Sequence, residues 1–146
     1  MPQKVKTLKI NDKLRIKLAD TAVKARKNSY SPYSKYPVGA AVLCSSGKIY
    51  SGCNIENASF GLSMCAERTA IFKAVSEGER NILAVAIAAK AATPCGACRQ
   101  VILEFAGKDA EIILVDIDAT TDRRKIMRAT AGAMLPMAFM PEKAGL

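Results

Sequence analysis

Ile82 to Ala89 is eight consecutive apolar residues, set between Asn81 and Lys90. A run of that length without alternation suits a buried strand, and such strands need other elements packed on both faces of their sheet. The flanking chain supplies candidates. Asp12 to Asn28 places Leu14, Leu18, Ala22 and Ala25 at helical spacing, with Ile16 and Val23 beside them. Asn28 to Pro37, rich in Ser, Pro and Tyr, reads as an ordered loop. Val38–Cys44 and Ile49–Asn54 read as strands joined by a turn at Ser45-Ser46-Gly47-Lys48. A helix is expected from about Ser63 to Ser76, with Gly78 ending it. Pro94 opens the next helix, with Val101, Ile102 and Phe105 inward and Gly107 as its stop. Glu111 to Val115 is a further buried strand. Asp122 to Thr130 is expected to be helical, and the rest to Leu146 is a tail holding Pro136 and Pro141. Alternating strands and helices, begun by a hairpin, predict a three-layer α/β/α sandwich with a mixed central sheet. One domain is expected over residues 1–146, its first 25 residues a basic, partly helical segment.

The chain has 146 residues, of which 50% are hydrophobic and 24% charged, values normal for a soluble globular protein. No apolar run approaches the ~20 residues of a membrane helix, and the basic N-terminus lacks the apolar stretch of a signal peptide. Five cysteines, an odd number with two in a C-x-x-C pair, suit metal ligation in a reducing compartment better than a disulfide framework. A cytoplasmic protein is the expectation. Of the formal net charge of +9, most lies in the first 27 residues, where nine basic side chains face only Asp12 and Asp20. A basic leader of this kind is a nucleic-acid footprint in some proteins. Here no aromatic residues are interleaved for base stacking, so a solvated helix face is expected and nucleic acid is not expected as a partner.

Cys65-Ala66-Glu67 and Pro94-Cys95-Gly96-Ala97-Cys98 carry the chemistry. Cys95 and Cys98, three apart, share a helix face and can grip one ion. Cys65 falls near the first turn of its own helix, where the dipole favours a thiolate. Two strand-to-helix crossings would bring these termini to one edge of the sheet, where α/β sites usually lie. Three protein ligands with an open fourth position are the mark of a catalytic zinc site, not a structural one. Glu67 stands two residues from Cys65, about 200° around a helix, so it should sit beside the ion without binding it, as a proton shuttle must. Three thiolates leave Zn²⁺ at a formal charge of −1, which opposes ionisation of its water. Arg68 and Arg99 directly follow Glu67 and Cys98, and Arg68 is expected to donate hydrogen bonds to the ligand sulfurs. A Cys or His, then x-Glu, then Pro-Cys-x-x-Cys is the pattern of zinc deaminases that act on nucleobases.

The chain resembles the small homotetrameric cytidine deaminases over nearly all of residues 26 to 141. The resemblance is carried by Ser31-Pro32-Tyr33-Ser34-Lys35-Tyr36-Pro37-Val38-Gly39-Ala40-Ala41, by Gly52-Cys53-Asn54-Ile55-Glu56-Asn57-Ala58, by Cys65 to Ala70, by Pro94 to Gln100 and by Leu135-Pro136-Met137-Ala138-Phe139. It implies zinc-dependent deamination of cytidine and 2′-deoxycytidine to the uridine products in pyrimidine salvage, with one zinc per subunit on Cys65, Cys95 and Cys98 and with Glu67 moving protons. It also implies that Asn54 and Glu56 hold the ribose 3′-hydroxyl, that Tyr36 lies by the sugar and base, and that backbone at Ala66 meets the pyrimidine edge. Phe139 would stack on the base in a neighbouring subunit's pocket, so that active sites are shared within a homotetramer.

Two positions depart from the family pattern, which often has Phe at 36 and Tyr at 60, where this chain has Tyr36 and Phe60. The exchange keeps ring area and relocates a hydroxyl. The residues alone suit hydroxyl binding, with a self-capping Asn/Glu turn as the other reading. Asn54 and Glu56 alternate at a strand's end and so point to one side, and both can bond a hydroxyl. Cys44 and Cys53, away from the helix starts, are expected to be small buried apolar residues. Other readings of the motif are an editing deaminase acting on polynucleotides, a deaminase of nucleoside antibiotics, and a structural zinc module without turnover.

Overall fold

The computed structural model describes residues 8–118, 120, 121 and 123–146, so Lys4 and Lys6 of the basic leader and the start of the expected helix at Asp122 lie outside the described residues. Its core is a five-stranded sheet in the order β2-β1-β3-β4-β5, built from β1 (Gly39–Cys44), β2 (Ile49–Cys53), β3 (Ile82–Ala89), β4 (Glu111–Ile117) and β5 (Arg124–Thr130). β1 pairs antiparallel with β2 and β3, β3 parallel with β4, and β4 antiparallel with β5. The sheet is mixed, as expected from its opening hairpin.

Period-two alternation along β3 sorts its apolar run between two layers. Ala84, Ala86 and Ala88 face α1 (Asp12–Arg26), where they join Leu18, Ala19 and Ala22. Val85, Ile87 and Ala89 face α2 (Ala66–Ser76) and α3 (Gly96–Ala106), meeting Ala70, Ile71, Ala74 and Ile102. Each fully buried Leu or Ile contributes about 1.5–3 kcal/mol, so Leu18, Leu43 and Ile113 in one layer and Ile71, Ile87, Ile102 and Ile112 in the other are strong anchors. Two glycines set the helix approach. A Cβ at Gly39 would lie 2.0 Å from the Ala22 carbonyl oxygen of α1, and one at Gly52 would lie 2.6 Å from the Ala70 nitrogen of α2. Only glycine admits backbone that close.

Most expected boundaries stand within a residue or two. The helix expected from Ser63 begins at Ala66, because Met64 pairs with Ile55 in an isolated antiparallel bridge and leaves Cys65 as the N-cap. Pro94 precedes the helix it was expected to open, and Cys95 caps it. One expected element fails. The stretch expected as a helix to Thr130 is strand β5, registered from Glu111↔Thr130 to Ile117↔Arg124. Its side chains are nearly all exposed, so no buried stripe exists to mark either period, and the open edge of β4 decides the matter by offering a full ladder of backbone partners. Among the described residues, the helix that follows this strand is the single turn α4 (Ala131–Met134), capped by Thr130.

Candidate active site

β2 leads toward α2 and β3 leads toward α3, and the two helix starts converge. Cys65 and Cys95 are the N-caps of α2 and α3, and neither uses its side chain in a cap hydrogen bond. Both thiols are therefore left for other chemistry at termini whose dipoles favour negative charge. Cys98, in the first turn of α3, completes the set. The sulfurs of Cys65, Cys95 and Cys98 lie within 4.8 Å of one another, and Cys65 and Cys95 are 4.0 Å apart. Zinc–sulfur bonds of about 2.3 Å in a tetrahedron place sulfurs about 3.8 Å apart, so the donor set fits zinc with small adjustments. Burial falls from Cys98, fully enclosed, through Cys65 to Cys95, which is exposed. The cluster is thus closed at its base and open on one side.

Glu67 is 4% exposed and does not join the sulfur set. Its Oε2 accepts from the Cys98 thiol at 3.7 Å. Burial, followed by the negative charge of Cys65, raises its pKa above the usual carboxylate range. Arg68 Nη2 donates to Cys65 Sγ at 3.2 Å, where the sequence placed it. The Cys65 thiol is lowered to about 5, first by its hydrogen bond with Cys98 and then, against burial, by Arg68, while Cys98 is pushed far up by that same bond and by burial. Arg68 also keeps a buried Nε without a hydrogen-bond partner among the described residues, a donor in reserve beside the thiols. Arg99 spends its hydrogen bonds elsewhere. Its Nε donates to the Pro94 carbonyl at 2.8 Å and its Nη1 to the Met134 carbonyl at 2.7 Å, tying the start of α3 to α4.

Asn54 and Glu56 both turn toward the loop of residues 28–37, as their alternation predicts. Asn54 is buried; its Oδ1 accepts from Val38 N–H at 2.9 Å and from the Ser29 hydroxyl, and its Nδ2 donates to the Tyr36 carbonyl at 2.8 Å. One amide hydrogen is left to offer outward. Glu56 Oε1 accepts from the N–H groups of Tyr33 and Ser34 at 2.9 and 3.1 Å, leaving Oε2 for another partner. Ser34, through its side chain and its N–H, holds the Glu56 carboxyl below the usual range. The two residues therefore shape the loop, a role the sequence reading missed. Ser29 could have been found as the hydroxyl opposite a buried amide.

A hollow of about 280 Å³ opens between Tyr33, Ser34, Glu56, Phe60 and Ser63, with the rings of Tyr33 and Phe60 edge-to-face at 5.5 Å. Tyr36 is 40% exposed and donates its hydroxyl to the Lys90 carbonyl. Ala66, buried, begins α2 beside Cys65. Phe139 is not brought to this chain's own thiol cluster. It lies 60% exposed on the C-terminal tail, beside Gln100, Leu103 and Glu104 of α3. Cys44 is buried as expected and its thiol rises to about 11, whereas Cys53, at the end of edge strand β2, is only half-buried.

Fold and site together define an α/β sandwich whose two helix N-termini build an open three-thiol metal centre with a buried acid beside it. Residues 12–114 match the model of the cytidine and deoxycytidylate deaminase zinc-binding region, and the chain belongs to that family. It is 46% identical over 129 residues to the cytidine deaminase of Sporosarcina psychrophila, covering 86% of this chain and 91% of that one. Against the cytidine deaminase of Halalkalibacterium halodurans it is 44% identical, covering 86% and 93%. The crystal structure of the cytidine deaminase from Burkholderia pseudomallei superposes with a TM-score of 0.77 at 41% identity, covering 85% of this chain and 98% of that one.

Proposed function

We propose that this chain is a cytidine deaminase, hydrolysing the C4 amino group of cytidine and 2′-deoxycytidine to give the uridine products and ammonia in pyrimidine salvage. The observation that carries the reading is the meeting of three sulfurs within 4.8 Å with a buried, non-ligating Glu67 carboxylate at their edge. Cys65, Cys95 and Cys98 would hold zinc, which when bound supplies Lewis acidity that makes water a nucleophile near neutral pH.

The remaining work falls to this chain's side chains. Glu67, held in a dry setting with a raised pKa, takes up a proton at Oε2 and passes it to N3 of the pyrimidine, then relays a proton to the departing amine. Arg68 keeps the thiolates charged without neutralising them. Asn54 and Glu56 bond the ribose 3′-hydroxyl, the one with its remaining amide hydrogen and the other with Oε2. A carboxylate at that point opposes a 3′-phosphate and so favours a free nucleoside over a polynucleotide. Tyr36 walls the sugar and base, and backbone at Ala66 meets the base edge.

Phe139 completes the pocket of a neighbouring subunit in a homotetramer, for which its exposed position on the tail is suited. Ile126 and Met127 of β5, with Phe60, Leu62 and Met137, are also exposed and give apolar surface for such contacts. Among the described residues no helix is long and apolar enough to cross a membrane. The test is direct. Purified protein incubated with cytidine should show the absorbance change to uridine, and should lose it on treatment with a zinc chelator. Zinc bound at one per chain with cytidine left unconverted would sink the proposal.

A further inference from the structure

The Tyr36 hydroxyl, one of the two groups in which the chain departs from its family pattern, is engaged by the backbone. It donates to the carbonyl of Lys90, the residue after β3. The next residue, Ala91, has a φ of 52°, in the left-handed region that a side chain with a Cβ rarely adopts. Its N–H donates to Asp116 Oδ1 at 2.7 Å. Asp116 stands near the end of β4, in parallel register with Ala89 of β3. A rigid strand thus carries the acceptor that holds an unfavourable turn in place. From that turn the chain runs through buried Ala92 and Pro94 directly to Cys95.

We propose that Asp116 is a positioning residue for the metal and nucleoside site. By accepting from Ala91 it fixes the left-handed turn of the β3–α3 crossover, and the turn has two dependants. One is Cys95, four residues on, the most exposed of the three thiols and the one with least packing to locate it. The other is the Tyr36 ring, oriented by the Lys90 carbonyl. Strain at a non-glycine residue persists only where its surroundings over-determine it, and Asp116 supplies that determination from β4. The inference rests on the proposed deaminase reading for its Tyr36 half, whereas its Cys95 half depends on the thiol cluster alone.

Asp116 borders a hollow of about 660 Å³ shared with Lys90, Asp118 and Arg123, so shortening its side chain opens onto existing space and should leave the core packed. Asp116→Ala and Asp116→Asn separate the acceptor from the charge, since the amide oxygen of Asn can still accept from Ala91. In zinc-loaded protein challenged with a chromogenic chelator, Asp116→Ala should surrender the metal with affinity lowered about 10–100-fold, the usual effect of losing an outer-shell support. Its KM for cytidine should rise several-fold, and Asp116→Asn should recover most of both losses. Tyr36→Phe should raise KM in the native chain and add little in Asp116→Ala, because both break one bracket.

Wild-type zinc retention and KM in Asp116→Ala would overturn the proposal, as would equal impairment in Asp116→Asn. A fall in Tm without either effect would reduce Asp116 to a stability residue and overturn it equally. Additive KM effects of the Tyr36 and Asp116 variants would remove Tyr36 from the bracket. If the native chain fails to convert cytidine, the deaminase reading falls, while the chelator comparison still decides the placement of Cys95.

Discussion

Arg68 Nη2 donates to the sulfur of Cys65 at 3.2 Å from one helical turn along α2. Cation and thiol thus share a single helix start, and any motion of one is transmitted to the other by the backbone between them. The charge of three thiolates on one divalent ion needs such a partner. Arg68→Gln should therefore weaken zinc retention by about 10–100-fold, the range usual for outer-shell partners, and turnover should fall with it. Chelator competition and initial rates measured on one preparation check this. Unchanged zinc content with unchanged turnover would remove Arg68 from the role.

Glu67 is expected to separate metal binding from turnover. Its carboxylate touches Cys98 but lies outside the sulfur set, so Glu67→Gln, of equal size, should keep one zinc per chain. Proton transfer by a positioned side chain is typically worth ~10²–10⁴-fold, and kcat should drop by at least that much. Metal analysis together with a progress curve decides it. Near-normal turnover would assign the proton steps elsewhere.

The glycines at the two helix crossings make a stability prediction. In Gly39→Ala the new methyl would meet the Ala22 carbonyl oxygen at 2.0 Å, and in Gly52→Ala the Ala70 nitrogen at 2.6 Å. Both obstacles are backbone and cannot rotate away. Each variant should lose about 1–3 kcal/mol, as overpacked sites do, with Gly39→Ala the worse. Gly61→Ala, with nothing within 4 Å of its Cβ, serves as the control and should unfold with the native chain. Gly52→Ala should also lower zinc retention, because it pushes on the helix that begins at Cys65.

How much of this was legible before the structure depends on where the burial lay. The run Ile82–Ala89 announced its strand to the residue, because a strand covered on both faces needs every position apolar. The cysteine spacing located both helix starts, since thiols that must meet leave their helices little freedom. β5 was misread because Arg124 to Thr130 is nearly all exposed and its strand form comes from a partner edge more than from its own pattern. Asn54 and Glu56 were read as hydroxyl binders and not as the clasps of loop 28–37, and the Ala91 turn was invisible. Those roles depend on backbone N–H groups donating to side-chain oxygens 16 to 25 residues away, and backbone donors leave no mark in residue identity.

Glu56 gives the pH dependence a definite direction. Hydrogen bonds from Ser34, side chain first and then backbone, hold its carboxyl below the ordinary range, where an unperturbed Glu titrates near about 4.3. A group whose folded pKa is lowered stays charged further into acid, so its contribution is complete above the ordinary value and fades only as pH falls through the lowered one. If Glu56 binds the ribose as a carboxylate, KM for cytidine should stay level from pH 7 down through pH about 4.5, and climb only below the ordinary carboxylate range. Glu56→Gln should raise KM at neutral pH and flatten the acid limb. Zinc lost in acid shrinks the active fraction and so appears in kcat, whereas Glu56 appears in KM, which keeps the two effects apart. A KM that climbs already between pH 6 and 5 in the native chain, and equally in Glu56→Gln, would place the titrating group elsewhere.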